Sequence, residues 1–117
     1  MIFEVRSANE AGSRHQEEGS SSQDATHYLE REGICSIALA DGAGSRSLAG
    51  EGAACAVHAV CELMCERFCE FYESPDRSYV ETAIVSHVRQ ALDQLAEGMG
   101  KPAFLFASTL LCVATDG

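Results

Sequence analysis

Two acidic positions supply the first chemical hint. Asp41 follows the apolar run Ile34-Cys35-Ser36-Ile37-Ala38-Leu39-Ala40 and opens the segment Asp41-Gly42-Ala43-Gly44-Ser45. A carboxylate leaving a rigid strand into a glycine-rich loop can ligate a hard cation, because small residues let backbone carbonyls and coordinated waters approach closely. The same residues also fit an ordinary strand-to-helix turn, with Asp41 making local hydrogen bonds. A phosphate-cradling loop is disfavoured, since the Lys-Ser/Thr of such loops is absent and Gly-x-Gly is too short for a dinucleotide fingerprint. Asp24, in Gln23-Asp24, sits where a second strand begins. If that strand pairs beside the one ending in Asp41, the two carboxylates meet, and together they suit Mg²⁺ or Mn²⁺ and the activation of a water as nucleophile. Taken alone, Asp24 reads as a strand-start carboxylate. Ser108-Thr109 is a weaker candidate, with close strand packing as the plainer explanation.

The cysteines point away from chemistry. Cys61, Cys65 and Cys69 recur every four residues, which is helical spacing, and Cys35 and Cys112 lie inside apolar strand-like runs. Free cysteine in such places behaves as a small hydrophobe. Cys55-x-x-His58-x-x-Cys61 could offer ligands to zinc, but no further Cys/His cluster completes a tetrahedral set, so core packing is the preferred reading. His87 reads as a histidine at the edge of the core.

These residues need a scaffold, and the hydrophobic periodicity describes one. Residues 2–8 alternate as a short strand, followed by a polar loop from Asn9 to Gln23 that contains Gly12, Gly19 and three consecutive serines. Ala25 to Glu30 reads as a second strand, Arg31-Glu32-Gly33 as a hairpin turn, and residues 34–40 as a buried central strand. From Ser47 to Tyr72 the period becomes helical: Ala53, Val57, Val60, Cys61, Met64, Phe68 and Phe71 share one face, and Glu62, Glu66 and Glu70 lie on a solvated one. Ser74-Pro75-Asp76 breaks that helix. Val80, Ile84, Val88, Ala91 and Leu95 define a second helix, antiparallel to the first and ending at Gly98-Met99-Gly100. The run from Ala103 to Ala114 reads as a buried strand, and Asp116-Gly117 as a hairpin dipeptide left without its second strand. The order is that of an α+β fold, antiparallel strands covered by a helical hairpin.

Composition limits the function. The chain has 117 residues, 18 acidic against 8 basic, and a formal net charge of -10, which excludes attraction to a phosphate backbone and makes nucleic acid an unsuitable partner. A 46% hydrophobic content is enough to build a core. No apolar run reaches the roughly 18 residues of a membrane span, and Met1 to Arg6 do not form a secretory leader. A cytoplasmic protein with no membrane partner is expected.

Gly12-x-x-His15, Gln23-Asp24-Ala25, Ala40-Asp41-Gly42-Ala43-Gly44-Ser45, Gly52-Ala53-Ala54-x-Ala56-Val57 and Ala107-Ser108-Thr109-Leu110 resemble, in that order and at those intervals, the N-terminal half of the metal-dependent protein phosphatases of type 2C, in particular their bacterial branch. The resemblance implies an α-β-β-α sandwich, two central antiparallel sheets flanked by helical hairpins, of which residues 1–117 would be the N-terminal part, with no second domain. It implies hydrolysis of phosphoserine and phosphothreonine in a phosphoprotein substrate, with two Mg²⁺ or Mn²⁺ ions activating the attacking water. Asp41 then matches the aspartate that bridges both metals, Gly42 the glycine whose carbonyl joins their shell, and Asp24 the second member of the family's acidic pair. Arg14 and His15 are the nearest basic residues for binding the substrate phosphate. Gln23 stands where many members have glutamate, and Ala43 where many have a histidine that acts as general acid. The remaining metal aspartates belong to a C-terminal half that the resemblance does not cover. The chain by itself is therefore expected to be inactive until a C-terminal half or partner chain completes it. The alternative is a pseudophosphatase-like interaction module.

Overall fold

A computed structural model of the chain describes residues 23–44 and 47–117. The strand expected over 2–8 and most of the polar loop after it lie outside the described residues.

Strand β1 (Asp24–Arg31) and strand β2 (Ile34–Asp41) form an antiparallel hairpin. Its turn is Glu32-Gly33, with φ of 53° and 82°. Two positive φ values suit a two-residue turn that follows the right-handed twist of the strands, and glycine takes the second without strain. Strand β3 (Leu111–Thr115) pairs antiparallel on the other side of β2, so the sheet order is β1-β2-β3 and β2 is central, as expected.

Helix α1 (Ala49–Glu66) lies on one face of this sheet. Ala53, Ala56, Val57, Val60 and Cys61 from α1 form the core with Ala38 and Ala40 of β2, and Val88 of helix α3 (Arg77–Met99) joins them. Alanines on both sides let helix and sheet approach closely, which explains a core this lean in large side chains. Helix α3 packs against α1, so the two helices are neighbours. Asp76 caps α3 by accepting a hydrogen bond from the Tyr79 N–H at 3.2 Å, and Gly100, at φ 64°, ends it in the left-handed conformation.

Two expectations need correction. The helix expected from Ser47 to Tyr72 is broken at Arg67 (φ -115°, ψ 21°), leaving a separate short helix α2 (Phe68–Glu73). Buried residues continue through the break, with Leu63, Phe68 and Phe71 all inside, so periodicity alone did not reveal it. The run from Ala103 to Ala114 is not one buried strand. Ala103–Phe106 forms a 3₁₀ turn, and only Leu111–Thr115 is strand. Phe106 is fully buried, while Phe104, two residues away, is 57% exposed. The turn is seated against α1 at Gly52, where any side chain would overlap the Phe106 carbonyl, and the Leu48 N–H donates to the Leu105 carbonyl at 3.1 Å.

The strand is not buried either. Leu111 is 71% exposed and Val113 68%. In register with them, Leu39 and Ile37 of β2 and Tyr28 of β1 are also exposed. One face of the sheet is thus covered by α1, and the other presents an apolar ladder.

Candidate metal centre

The hairpin decides where the two acidic candidates go. Its register sets Asp24 directly opposite Asp41, at the end of the hairpin farthest from the turn. Residues directly opposite point to the same face of a sheet. One step further out, the Gly42 N–H donates to the Gln23 carbonyl at 3.1 Å. That bond makes Gly42 and Gln23 the hydrogen-bonded kind of opposite pair, so by alternation Asp24 and Asp41 are the other kind, in which strands and side chains lie closest. Both aspartates are exposed. Period-two alternation places Asp41 on the same face as the exposed Ile37 and Leu39.

The glycine beside them is required sterically. A Cβ at Gly42 would lie 2.6 Å from the Gln23 carbonyl oxygen and 2.9 Å from that of Ala49. Gln23, just before β1, and the start of α1 therefore press on the residue whose carbonyl is the candidate ligand. Next to it is an open cavity of about 470 Å³, lined by Asp41, Gly42, Ala43 and Gly44 on one side and Ala107, Ser108 and Thr109 on the other. The two linings are stitched together. The Thr109 N–H donates to the Asp41 carbonyl (2.9 Å), the Asp41 N–H donates to Thr109 Oγ1 (3.2 Å), and the Ala43 N–H donates to the Ala107 carbonyl (2.9 Å). Ser108 forms a β-bridge with Gly42.

A family model for protein phosphatase 2C matches residues 11–117. The chain belongs to the protein phosphatase 2C family. No curated protein and no solved structure is a match to it. The matched span contains Asp24, Asp41, Gly42 and the Ala107–Thr109 segment of this 2C phosphatase chain, and it begins after Glu10. Arg14 and His15 fall within the span but outside the described residues, as does Ser45.

Two carboxylates and a backbone carbonyl would make an all-oxygen donor set, of the kind that fits Mg²⁺ or Mn²⁺ and does not suit the softer metals. Among the described residues no group of three or more His, Cys, Asp or Glu side chains is arranged to hold a metal, so the carboxylate pair is an incomplete shell.

Apart from exposed Cys69, the thiols of this 2C phosphatase chain are packing groups. Burial raises the pKa of Cys35, Cys55, Cys61, Cys65 and Cys112, which keeps them protonated at neutral pH. As neutral donors they satisfy the sheet: Cys61 Sγ donates to the His27 carbonyl (3.7 Å) and Cys65 Sγ to the Leu29 carbonyl (3.5 Å). Cys61 is fully buried whereas His58 is exposed and pairs with Glu62 at 3.8 Å, so Cys55, His58 and Cys61 do not converge as zinc ligands. His87 is half-buried on α3. His27 and His58 face each other across β1 and α1 with ring centroids 5.0 Å apart, and burial followed by the charge of His58 lowers the His27 pKa.

Sequence reasoning named Ser108-Thr109 only as a weak candidate and did not connect it to Asp41. The signal is the β2–β3 register: continued past Leu39 opposite Leu111, it sets Thr109 opposite Asp41 and Ala107 opposite Ala43.

Proposed function

We propose that this chain supplies part of the catalytic centre of a metal-dependent phosphatase acting on phosphoserine and phosphothreonine in proteins. Asp24, Asp41 and the Gly42 carbonyl are its metal-facing ligands. The observation that carries this reading is the juxtaposition of Asp24 and Asp41 as the close kind of opposite strand pair. Like charges placed directly opposite destabilise a strand pair, so the arrangement makes physical sense when a cation lies between them. Mg²⁺ or Mn²⁺ held there would lower the pKa of a coordinated water and offset the charge of the phosphoryl oxygens.

The chain's own residues have definable tasks. Asp24 and Asp41 bring negative charge to the ends of two hydrogen-bonded strands, which fixes their separation before any cation arrives. Because their charge repels a phosphate dianion, substrate binding depends on the cation load of the site. Arg14 and His15 are the proposed phosphate-binding groups. Ala43, which lines the cavity, has no proton to give a departing serine or threonine oxygen. That proton must come from water or from a group outside the described residues.

The exposed apolar ladder supports the further reading that residues 1–117 are the N-terminal part of a larger 2C phosphatase domain. Asp41 lies on the same face as that ladder, so a C-terminal half or partner chain covering it would also lie beside the carboxylate pair and could complete its ligand shell. The isolated chain is then inactive although it carries half of the centre. A pseudophosphatase-like interaction module is the second reading, favoured by Ala43 at the cavity wall and by the incomplete shell.

Titration calorimetry with Mn²⁺, together with turnover of p-nitrophenyl phosphate, tests the proposal. Millimolar-range Mn²⁺ binding that is lost in Asp41→Asn, with no turnover by the isolated chain, is expected. Turnover appearing when a C-terminal half of a 2C phosphatase is added separates the enzyme from the interaction module. Equal binding by Asp41→Asn and the parent would remove the metal assignment.

A further inference from the structure

Asp41 is held in an unusual way. In a regular antiparallel ladder, an opposite pair of the hydrogen-bonded kind exchanges two amide-to-carbonyl bonds. Thr109 and Asp41 occupy such a position in the continued β2–β3 register, and one of the two bonds is regular: the Thr109 N–H donates to the Asp41 carbonyl at 2.9 Å. The other is replaced. The Asp41 N–H donates to the Thr109 side-chain hydroxyl, Oγ1, at 3.2 Å. Toward β1, Asp41 belongs to the close, non-hydrogen-bonded kind of pair, so its ladder bonding runs through Thr109. A side chain, not a second strand backbone, thus fixes one of the two main-chain groups of Asp41.

We infer that Thr109 is a positioning residue for the carboxylate of Asp41, setting through its hydroxyl the backbone at the end of β2 from which that carboxylate and the Gly42 carbonyl project. The inference rests on the reading of Asp41 as a cation ligand. Thr109 itself touches neither substrate nor cation in this role. A hydroxyl suits the task better than a carbonyl would. It lets the chain turn from Thr109 into Ala107 and the 3₁₀ turn while still receiving the Asp41 N–H, and so ligand geometry is coupled to how that turn seats on α1 at Gly52. Groups that orient a metal ligand without touching the metal typically change affinity by about 10- to 100-fold when removed.

The test uses the whole 117-residue chain and four variants: Thr109→Val, which keeps the shape and loses the acceptor; Thr109→Ser, which restores it; Asp41→Asn; and Thr115→Val, which removes a threonine acceptor that takes the Gly117 N–H. Mn²⁺ affinity is read from paramagnetic relaxation of water protons, and exchange of the Asp41 amide hydrogen by NMR. Thr109→Val should weaken Mn²⁺ binding about tenfold and speed exchange of the Asp41 amide by a similar factor, with an unchanged circular dichroism spectrum. Thr109→Ser and Thr115→Val should both stay within about twofold of the parent. The inference is overturned if Thr109→Val binds Mn²⁺ as the parent does while Asp41→Asn has lost binding, or if Thr109→Ser is as impaired as Thr109→Val. Binding by Asp41→Asn equal to the parent's instead shows that the metal assignment has failed, and the inference falls with it. Should Thr109→Val not fold, Thr109→Ala is read against Thr109→Ser by the same criteria.

Discussion

Asp24 and Asp41 set two like charges opposite each other, a local cost that a bound cation would offset. Removing one charge should therefore stabilise the metal-free chain while destroying its response to metal. Asp41→Asn is expected to raise the melting temperature without metal by an amount equivalent to about 0.5 kcal/mol, and to abolish the rise that Mn²⁺ gives the parent. Calorimetric melting with and without Mn²⁺ reads both. A second residue-scale prediction concerns His27, whose pKa is held below the usual imidazole value by burial and then by His58, against a smaller opposing pull from Glu62. The unfolded chain therefore binds a proton more readily than the folded one. The stability His27 contributes is full above the unfolded value of about 6.5 and is lost as the pH falls toward the lowered folded value. Melting temperatures between pH 7.5 and 5 should fall less steeply in His27→Gln than in the parent. The thiols give a third. Iodoacetamide should modify exposed Cys69 in the native chain, while Cys35 and Cys61 react only on unfolding, as read by peptide mass mapping.

Among the elements, those with strong local signals were legible in the sequence. The helical period and the Asp76 and Gly100 termini marked α3, and the Glu32-Gly33 turn marked the β1–β2 hairpin. Once a two-residue turn is granted, pairing outward from it brings Asp24 opposite Asp41 with no tertiary information. What was not legible depended on contacts between distant segments. The run from Ala103 to Ala114 has the composition of a strand, but Phe106 finds a pocket against α1 that an extended chain would not reach. Thr109 then acquires its bonds to Asp41 from a register set by β3, well outside any local window. The junction of α1 with the 3₁₀ turn accordingly carries a steric prediction. Gly52→Ala forces a Cβ into the Phe106 carbonyl, should cost about 3 kcal/mol in urea unfolding, and should weaken Mn²⁺ binding by displacing the Ala107–Thr109 segment.

For the whole molecule, the notable asymmetry is the sheet: one face is closed by α1 and the other exposes Tyr28, Ile37, Leu39, Leu111 and Val113. Contiguous apolar faces are where proteins commonly bind partners, and β3 has no charged residue within it to discourage pairing at its outer edge. Leu111→Lys combined with Val113→Glu should lower binding of a hydrophobic dye and leave the melting temperature nearly unchanged, because neither side chain belongs to the core. The net charge of -10 keeps such a molecule in solution, but the two carboxylates that matter stand at the border of the apolar face. On the proposed reading the two features belong together: the carboxylate pair would face the metal, and a C-terminal half or partner chain would cover the apolar face.

The central claim is that Asp24 and Asp41 share a divalent cation. The most direct measurement is paramagnetic broadening of backbone amide signals by substoichiometric Mn²⁺ in the ¹⁵N-labelled chain. Signals of Asp24, Asp41, Gly42 and Thr109 should broaden first, and Mg²⁺ should reverse the effect by competition. Broadening centred instead on Glu62, Glu66 and Glu70 along α1, with Asp41 and Gly42 unaffected, would contradict the account.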